Sequence, residues 1–191
     1  MQGWWAASYA VLWLLVVVLC FVVVALARQI GTLHLRLGPR GALEIDDEGP
    51  PLNEAPPIVE TRDLDGAAVT IGGGGQSRLL MFVSPGCMVC DRVLPSLHVV
   101  AASAGLEPYV VSDVDAHESA AAFGSRSAEL RVVPAPELMQ AYAVPGTPYL
   151  VVMDAKGLVR AKGTVNNLEQ MEGLVETGLR RLRDSEQRRA N

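Results

Sequence analysis

Met1 to Ala27 contain no formally charged side chain; all 16 Lys and Arg and all 21 Asp and Glu lie at Arg28 or later. That asymmetry divides the chain into two parts suited to different solvents. As a helix, Trp4–Ala27 would be about 36 Å long at ~1.5 Å per residue, enough to cross a ~30 Å hydrocarbon core with some tilt. Val and Leu fill its middle, and Trp4, Trp5, Tyr9 and Trp13 crowd its N-terminal end, where amphipathic rings favour the headgroup level. Ala25-Leu26-Ala27 resembles a signal cleavage site, but no Lys or Arg precedes the run and the apolar stretch is long for a signal peptide. Residues 1–28 are therefore read as a retained transmembrane anchor. Cys20 lies inside it and is read as a small hydrophobe.

Orientation is contested by the charges. Arg28, Arg36 and Arg40 follow the anchor and only the α-amine precedes it, so the positive-inside rule taken alone leaves the C-terminal part in the cytoplasm. The rule weakens for long translocated domains.

Residues 29–57 form a juxtamembrane segment and a Pro-rich linker. Gln29–Ala42 mixes apolar and basic residues, whereas Glu44–Pro57 carries Asp46-Asp47-Glu48, Pro50-Pro51 and Pro56-Pro57, a composition that builds no core of its own. Residues 58–191 are long enough for one packed α/β core. Ile58–Ile71 alternates around Asp65-Gly66 as a hairpin does. Arg78–Ser84 is an apolar run suited to a strand covered on both faces. Asp91–Ala104 has helical spacing with Gly105 as C-cap. Pro108–Val114, Tyr149–Met153 and Leu158–Lys162 read as strands, Ala116–Phe123 and Pro136–Tyr142 as short helices, and Leu168–Arg183 as an amphipathic terminal helix. This is an α/β chain with a mixed central sheet flanked by helices. A net charge of −5 offers no basic surface for nucleic acid.

Cys87-Met88-Val89-Cys90 follows the first core strand and opens the next helix. A helix N-terminus presents unpaired N–H groups and the positive end of the dipole, which stabilise a thiolate. Cys87 is thereby the attacking thiol, and Cys90, three residues on, is placed to resolve a mixed disulfide. A zinc site would need further ligands, and His34, His98 and His117 stand singly. No metal or other cofactor is expected.

Val144-Pro145-Gly146-Thr147-Pro148-Tyr149 stands just before a predicted strand. Its Thr147-Pro148 resembles the cis-proline loop of the thioredoxin superfamily, which implies a thioredoxin-like fold and a role for Thr147 and Pro148 in binding the substrate backbone beside the cysteines. The resemblance spans about residues 58–183. Two departures stand out: the carboxylates that relatives place near positions 81 and 93 are here Met81 and Val93. Proton transfer from Cys90 would then fall to water or a partner.

The ends of the chain narrow the resemblance. Leu26-Ala27-Arg28-Gln29-Ile30-Gly31, Leu33-His34, the run Arg36-Leu37-Gly38-Pro39-Arg40-Gly41-Ala42-Leu43, Glu48-Gly49-Pro50 and Ser84-Pro85-Gly86-Cys87-Met88-Val89-Cys90 resemble the MauD family of methylamine utilisation proteins. Met88 stands where that family often has Pro. The resemblance implies a thiol-disulfide oxidoreductase that forms or isomerises disulfides in the disulfide-rich small subunit of methylamine dehydrogenase. It also implies a membrane thiol electron-transfer partner and an inner-membrane, single-pass protein whose C-terminal domain is periplasmic, since exported cysteines lie in that compartment. Rival expectations are a general envelope reductase, such as one serving cytochrome c maturation, and a non-redox assembly chaperone.

Overall fold

The computed structural model describes residues 3–5, 8–9, 11–22, 48–126 and 129–190, within two compact units, Met1–Pro39 and Arg40–Asn191. In the first unit residues 3–5, 8–9 and 11–22 are helical and exposed, and the Tyr9 and Trp13 rings meet edge-on at 6.4 Å. Among the described residues no helix is long and apolar enough to cross a membrane. The expected anchor over 1–28 falls partly outside the described residues, and the basic run with Arg28, Arg36 and Arg40 falls wholly outside them.

The second unit begins with the antiparallel hairpin β1 (Val59–Arg62) and β2 (Ala68–Ile71). Then follow β3 (Arg78–Val83), α1 (Met88–Ala104), β4 (Glu107–Ser112), α2 (Ala116–Phe123), a 3-10 turn (Gly124–Arg126), β5 (Arg131–Pro134), α3 (Pro136–Ala141), β6 (Tyr149–Met153), β7 (Val159–Thr164) and α4 (Leu168–Ala190). The central sheet has the order β5-β4-β3-β6-β7. β3, β4 and β5 run parallel, while β6 is antiparallel to both β3 and β7. This is a thioredoxin-like mixed sheet.

The apolar run of β3 divides its side chains between two cores, as strand alternation requires. Leu79, Met81 and Val83 join Val93, Leu94 and Leu97 of α1 and Met171, Leu174 and Val175 of α4 in one. Leu80 and Phe82 join Val69 and Ile71 of the hairpin and Leu138 of α3 in the other. Gly105 ends α1 in the left-handed conformation, φ 66°, and its N–H bonds back to the last turn, where a side-chain-bearing residue would be strained.

Two of the helices start or end differently from their sequence patterns. α1 begins at Met88 rather than Asp91, because Cys87 itself is the N-cap. α4 runs past Arg183 to Ala190; its apolar stripe has ended, but good helix formers continue the turn. β5 is absent from the sequence reading. It is only four residues long and carries Pro134, tolerated because β5 is an edge strand.

Composition describes 44–57 as linker, yet residues 48–57 are fastened to the domain. Asn53 N–H donates to Val159 O at 2.8 Å, and Val159 N–H to Glu54 O at 3.0 Å. The segment thereby covers part of the outer edge of β7, a site a sheet would otherwise leave open. Gly49 N–H reaches Ala143 O at 3.1 Å, and the Tyr149 hydroxyl donates to Glu48 O at 3.1 Å. Gly49 has φ +74°, and a Cβ there would collide with the Tyr149 hydroxyl. A segment too polar to form a core can still dock on one that exists.

Four buried side chains with polar groups complete the frame. In the turn between β6 and β7, Asp154 accepts the N–H groups of Lys156 and Leu158, each at 2.9 Å, and pairs with Arg160 at 2.7 Å. Arg160 also donates to Asn53 Oδ1 at 2.8 Å. Asp63 accepts from Ala67 N–H at 2.8 Å and from Arg131 at 3.0 Å. Burial acts to raise its carboxyl, but Arg131 and the turn N–H groups outweigh it and leave Asp63 below the usual range. Burial pushes Tyr142 up to about 12 against the opposing pull of Arg78, and its hydroxyl has no hydrogen-bond partner among the described residues.

Candidate active site

The site forms where β3 ends. Ser84-Pro85-Gly86 turn the chain away from the sheet, with Gly86 at φ 75°, and Cys87 N–H closes the turn on Ser84 O at 3.3 Å. Cys87 caps α1: its Sγ accepts the Cys90 N–H at 3.1 Å. The two cysteines are disulfide-bonded, with Cα atoms 5.2 Å apart. Their surroundings differ sharply. Cys90 is 1% exposed and lies in the core that also holds Met81 and Val93. Cys87 is half-buried, and Met88 beside it is 80% exposed. An approaching sulfur therefore meets Cys87 first, and the helix-end N–H that lies on its Sγ favours the anionic form of that thiol once the bond is opened.

β6 runs antiparallel to β3 with Phe82 opposite Tyr149, so the loop before β6 arrives at the end of β3 where the cysteines sit. That register brings Thr147 and Pro148, distant in sequence, to Cys87. The Thr147–Pro148 peptide is cis, Pro148 is buried, and Thr147 O lies 3.9 Å from Cys87 Sγ. Cys87, Cys90, Thr147 and Pro148 thus share one end of the sheet.

Two further residues, not singled out from the sequence as site residues, join them. The Thr147 hydroxyl donates to Ser84 Oγ at 3.0 Å, and Ser84 Oγ donates in turn to the Asp113 carboxylate. Asp113 follows β4 directly, its N–H on Val83 O at 3.2 Å. β3 and β4 are parallel with Val83 opposite Ser112, so the residues after each strand fall side by side. The available signal was a polar residue directly after each of two apolar strands; their adjacency needed the strand order.

A family model described as a thioredoxin-like domain matches residues 64–178. A protein from Paracoccus denitrificans named "Methylamine utilization protein MauD" is 37% identical over 180 residues, covering 92% of this chain and 90% of that one. A protein of the same name from Methylorubrum extorquens is 35% identical over 174 residues, covering 89% and 84%. Among solved structures, a thio-disulfide isomerase from Thermus thermophilus superposes with a TM-score of 0.54 at 25% identity, covering 71% of this chain and 96% of that one.

Proposed function

The chain belongs to the MauD family and is a thioredoxin-like thiol-disulfide oxidoreductase, and from that premise we propose that it matures the small subunit of a methylamine dehydrogenase by forming or isomerising disulfides. The observation that carries the reading is the unequal cysteine pair, Cys87 accessible at the helix N-cap and Cys90 enclosed behind it, with Thr147 O 3.9 Å from Cys87 Sγ.

In the oxidising direction a client thiolate attacks Cys87 Sγ. The Cys87–Cys90 bond breaks, and Cys90 leaves with the electron pair and takes a proton. A second client thiolate then attacks the client sulfur of the mixed disulfide and expels Cys87 as thiolate, so the client has lost two electrons and the pair has gained them. A membrane protein bearing its own disulfide accepts those electrons and restores the Cys87–Cys90 bond. Isomerisation begins with the second attack in reverse: Cys87 thiolate attacks a client disulfide and expels one client thiolate, which then attacks another client disulfide, so Cys87 is finally released with no net redox change. Cys87 and Cys90 are the catalytic residues of this scheme, and Thr147 and Pro148 hold the client backbone. Enclosure of Cys90 beside Met81 and Val93, with no carboxylate at either position, leaves its proton to water or the partner.

The placement proposed with this function is an anchor over 1–28, a juxtamembrane and Pro-rich stretch over 29–57, and a thioredoxin-like domain over 58–191 facing the periplasm from the inner membrane. The apolar composition of the first segment and the compartment of an exported client support it.

Cysteine variants in a methylamine-grown host test the reading. Cys87→Ser is expected to abolish exchange, and Cys90→Ala to trap the small subunit on Cys87. Full dehydrogenase assembly in a Cys87→Ser, Cys90→Ser double variant would refute redox maturation in favour of a chaperone. Trapping only of apocytochromes would point instead to the general reductase.

A further inference from the structure

We propose that Asp113, acting through the Ser84 hydroxyl, is a positioning residue that sets how Thr147 meets a peptide client at Cys87. The inference rests on the reading of Cys87 as the attacking thiol and extends it to residues that never touch sulfur.

A carboxylate accepts hydrogen bonds and has no hydrogen to give, whereas a hydroxyl has one hydrogen and two lone pairs. Ser84 lies between two oxygens, Asp113 Oδ2 and Thr147 Oγ1. Asp113 takes the single Ser84 hydrogen. The Ser84 oxygen can then only accept from Thr147, and the Thr147 hydrogen is committed in that direction. The same residue, Ser84, holds Cys87 N–H on its carbonyl oxygen. One serine therefore ties the cysteine turn, the end of β4 and the loop of Thr147 together, and the loop's carbonyl stands 3.9 Å from Cys87 Sγ.

A second observation marks Asp113 as more than a convenient acceptor. Its other oxygen, Oδ1, is buried without a hydrogen-bond partner among the described residues. A buried polar atom left unpaired costs stability, and such atoms in a folded protein call for a reason. Orientation of the exchange site supplies one. Without Asp113 the Ser84 hydrogen is free to turn toward Thr147, the Thr147 hydroxyl loses its fixed direction, and a peptide laid along Thr147 meets a less ordered backbone.

The test uses full-length protein in detergent and two probes, a peptide with one internal disulfide and a small aromatic disulfide that has no backbone to align. Asp113→Ala is expected to raise the peptide KM about tenfold, equivalent to ~1.4 kcal/mol, with kcat changed by less than about threefold. Asp113→Asn keeps an acceptor oxygen and is expected to restore most of that affinity. Ser84→Ala should match Asp113→Ala, and the double variant should be no worse than either alone, because both break one chain. Should Asp113→Ala not fold, Asp113→Asn in the Ser84→Ala background reads the same link, with a peptide KM no higher than that of Ser84→Ala alone. Additive effects, an unchanged peptide KM, equal losses on both probes, or Asn no better than Ala would each overturn the proposal. Failure of the underlying reading shows separately, as undiminished reaction of Cys87→Ser with the small disulfide.

Discussion

Removing the Asp154 carboxylate should unfold far more than the turn it sits in. Asp154→Ala leaves Arg160, whose side chain is 5% exposed, as a buried cation that has lost the partner at 2.7 Å. Stranding one member of a buried pair costs about 3–5 kcal/mol. The Asn53 oxygen at 2.8 Å still accepts from Arg160, which argues for the lower half of that range. Lys156 is exposed, so water replaces the acceptor its N–H loses; Leu158 is half-buried, and its unpaired N–H adds about 1 kcal/mol. The sum is about 4–5 kcal/mol, or a melting temperature lower by roughly 8–20 °C for a domain of this size. Urea titration of the full-length protein in detergent, followed by far-UV circular dichroism, measures it. Converting the arginine as well, Asp154→Ala with Arg160→Met, removes the stranded charge and should recover about half the loss or more, since well-packed apolar replacements of buried pairs are often near neutral. A single variant that loses less than ~1 kcal/mol, or a double variant no more stable than the single, would refute the assignment of the cost to the buried charge.

Two more outcomes follow from the other buried groups. Arg131→Met should remove the largest of the causes that lower Asp63, leaving the backbone bonds at Ala67 and Asp65 in place. The stability gap between wild type and this variant should stand above the ordinary carboxyl value of 3.8 and close as pH falls through the depressed one; a gap that persists under acid would count against the ion pair. Tyr142→Phe deletes a hydroxyl with no hydrogen-bond partner among the described residues, so stability at neutral pH should change by less than ~1 kcal/mol. Because Tyr142 stays protonated in the fold up to about 12 but ionises near 10 when unfolded, wild type should lose stability between those values and the variant should lose less, as pH-jump melts would reveal.

The local pattern of the sequence carried most of the fold. Tyr149–Met153 and Ala116–Phe123 begin and end where their residue types place them, because an apolar β-branched run and an Asp115 cap are local signals. Cys87-Met88-Val89-Cys90 was equally legible, since strand, turn and helix start all lie within a few residues. What escaped depends on contacts distant in sequence. β5 exists because β4 offers it an edge, and its own four residues carry little pattern. The docking of 48–57 needs β7 to be present first. Asp113 and Ser84, 29 positions apart, become neighbours only through the parallel pairing of β3 and β4, an ordering that residue patterns leave open.

The fastening of residues 48–49 bears on how the domain carries load. Gly49 holds Ala143, and Glu48 holds Tyr149; these two residues bracket the loop that presents Thr147 and Pro148. Tension applied to the chain on the N-terminal side of Glu48 is therefore delivered first to the two ends of that loop, through single hydrogen bonds, before it reaches the paired strands. Such bonds peel one at a time, whereas the five-stranded sheet behind them must shear many together. The segment before the domain is thereby coupled to the two residues that flank Thr147 and Pro148.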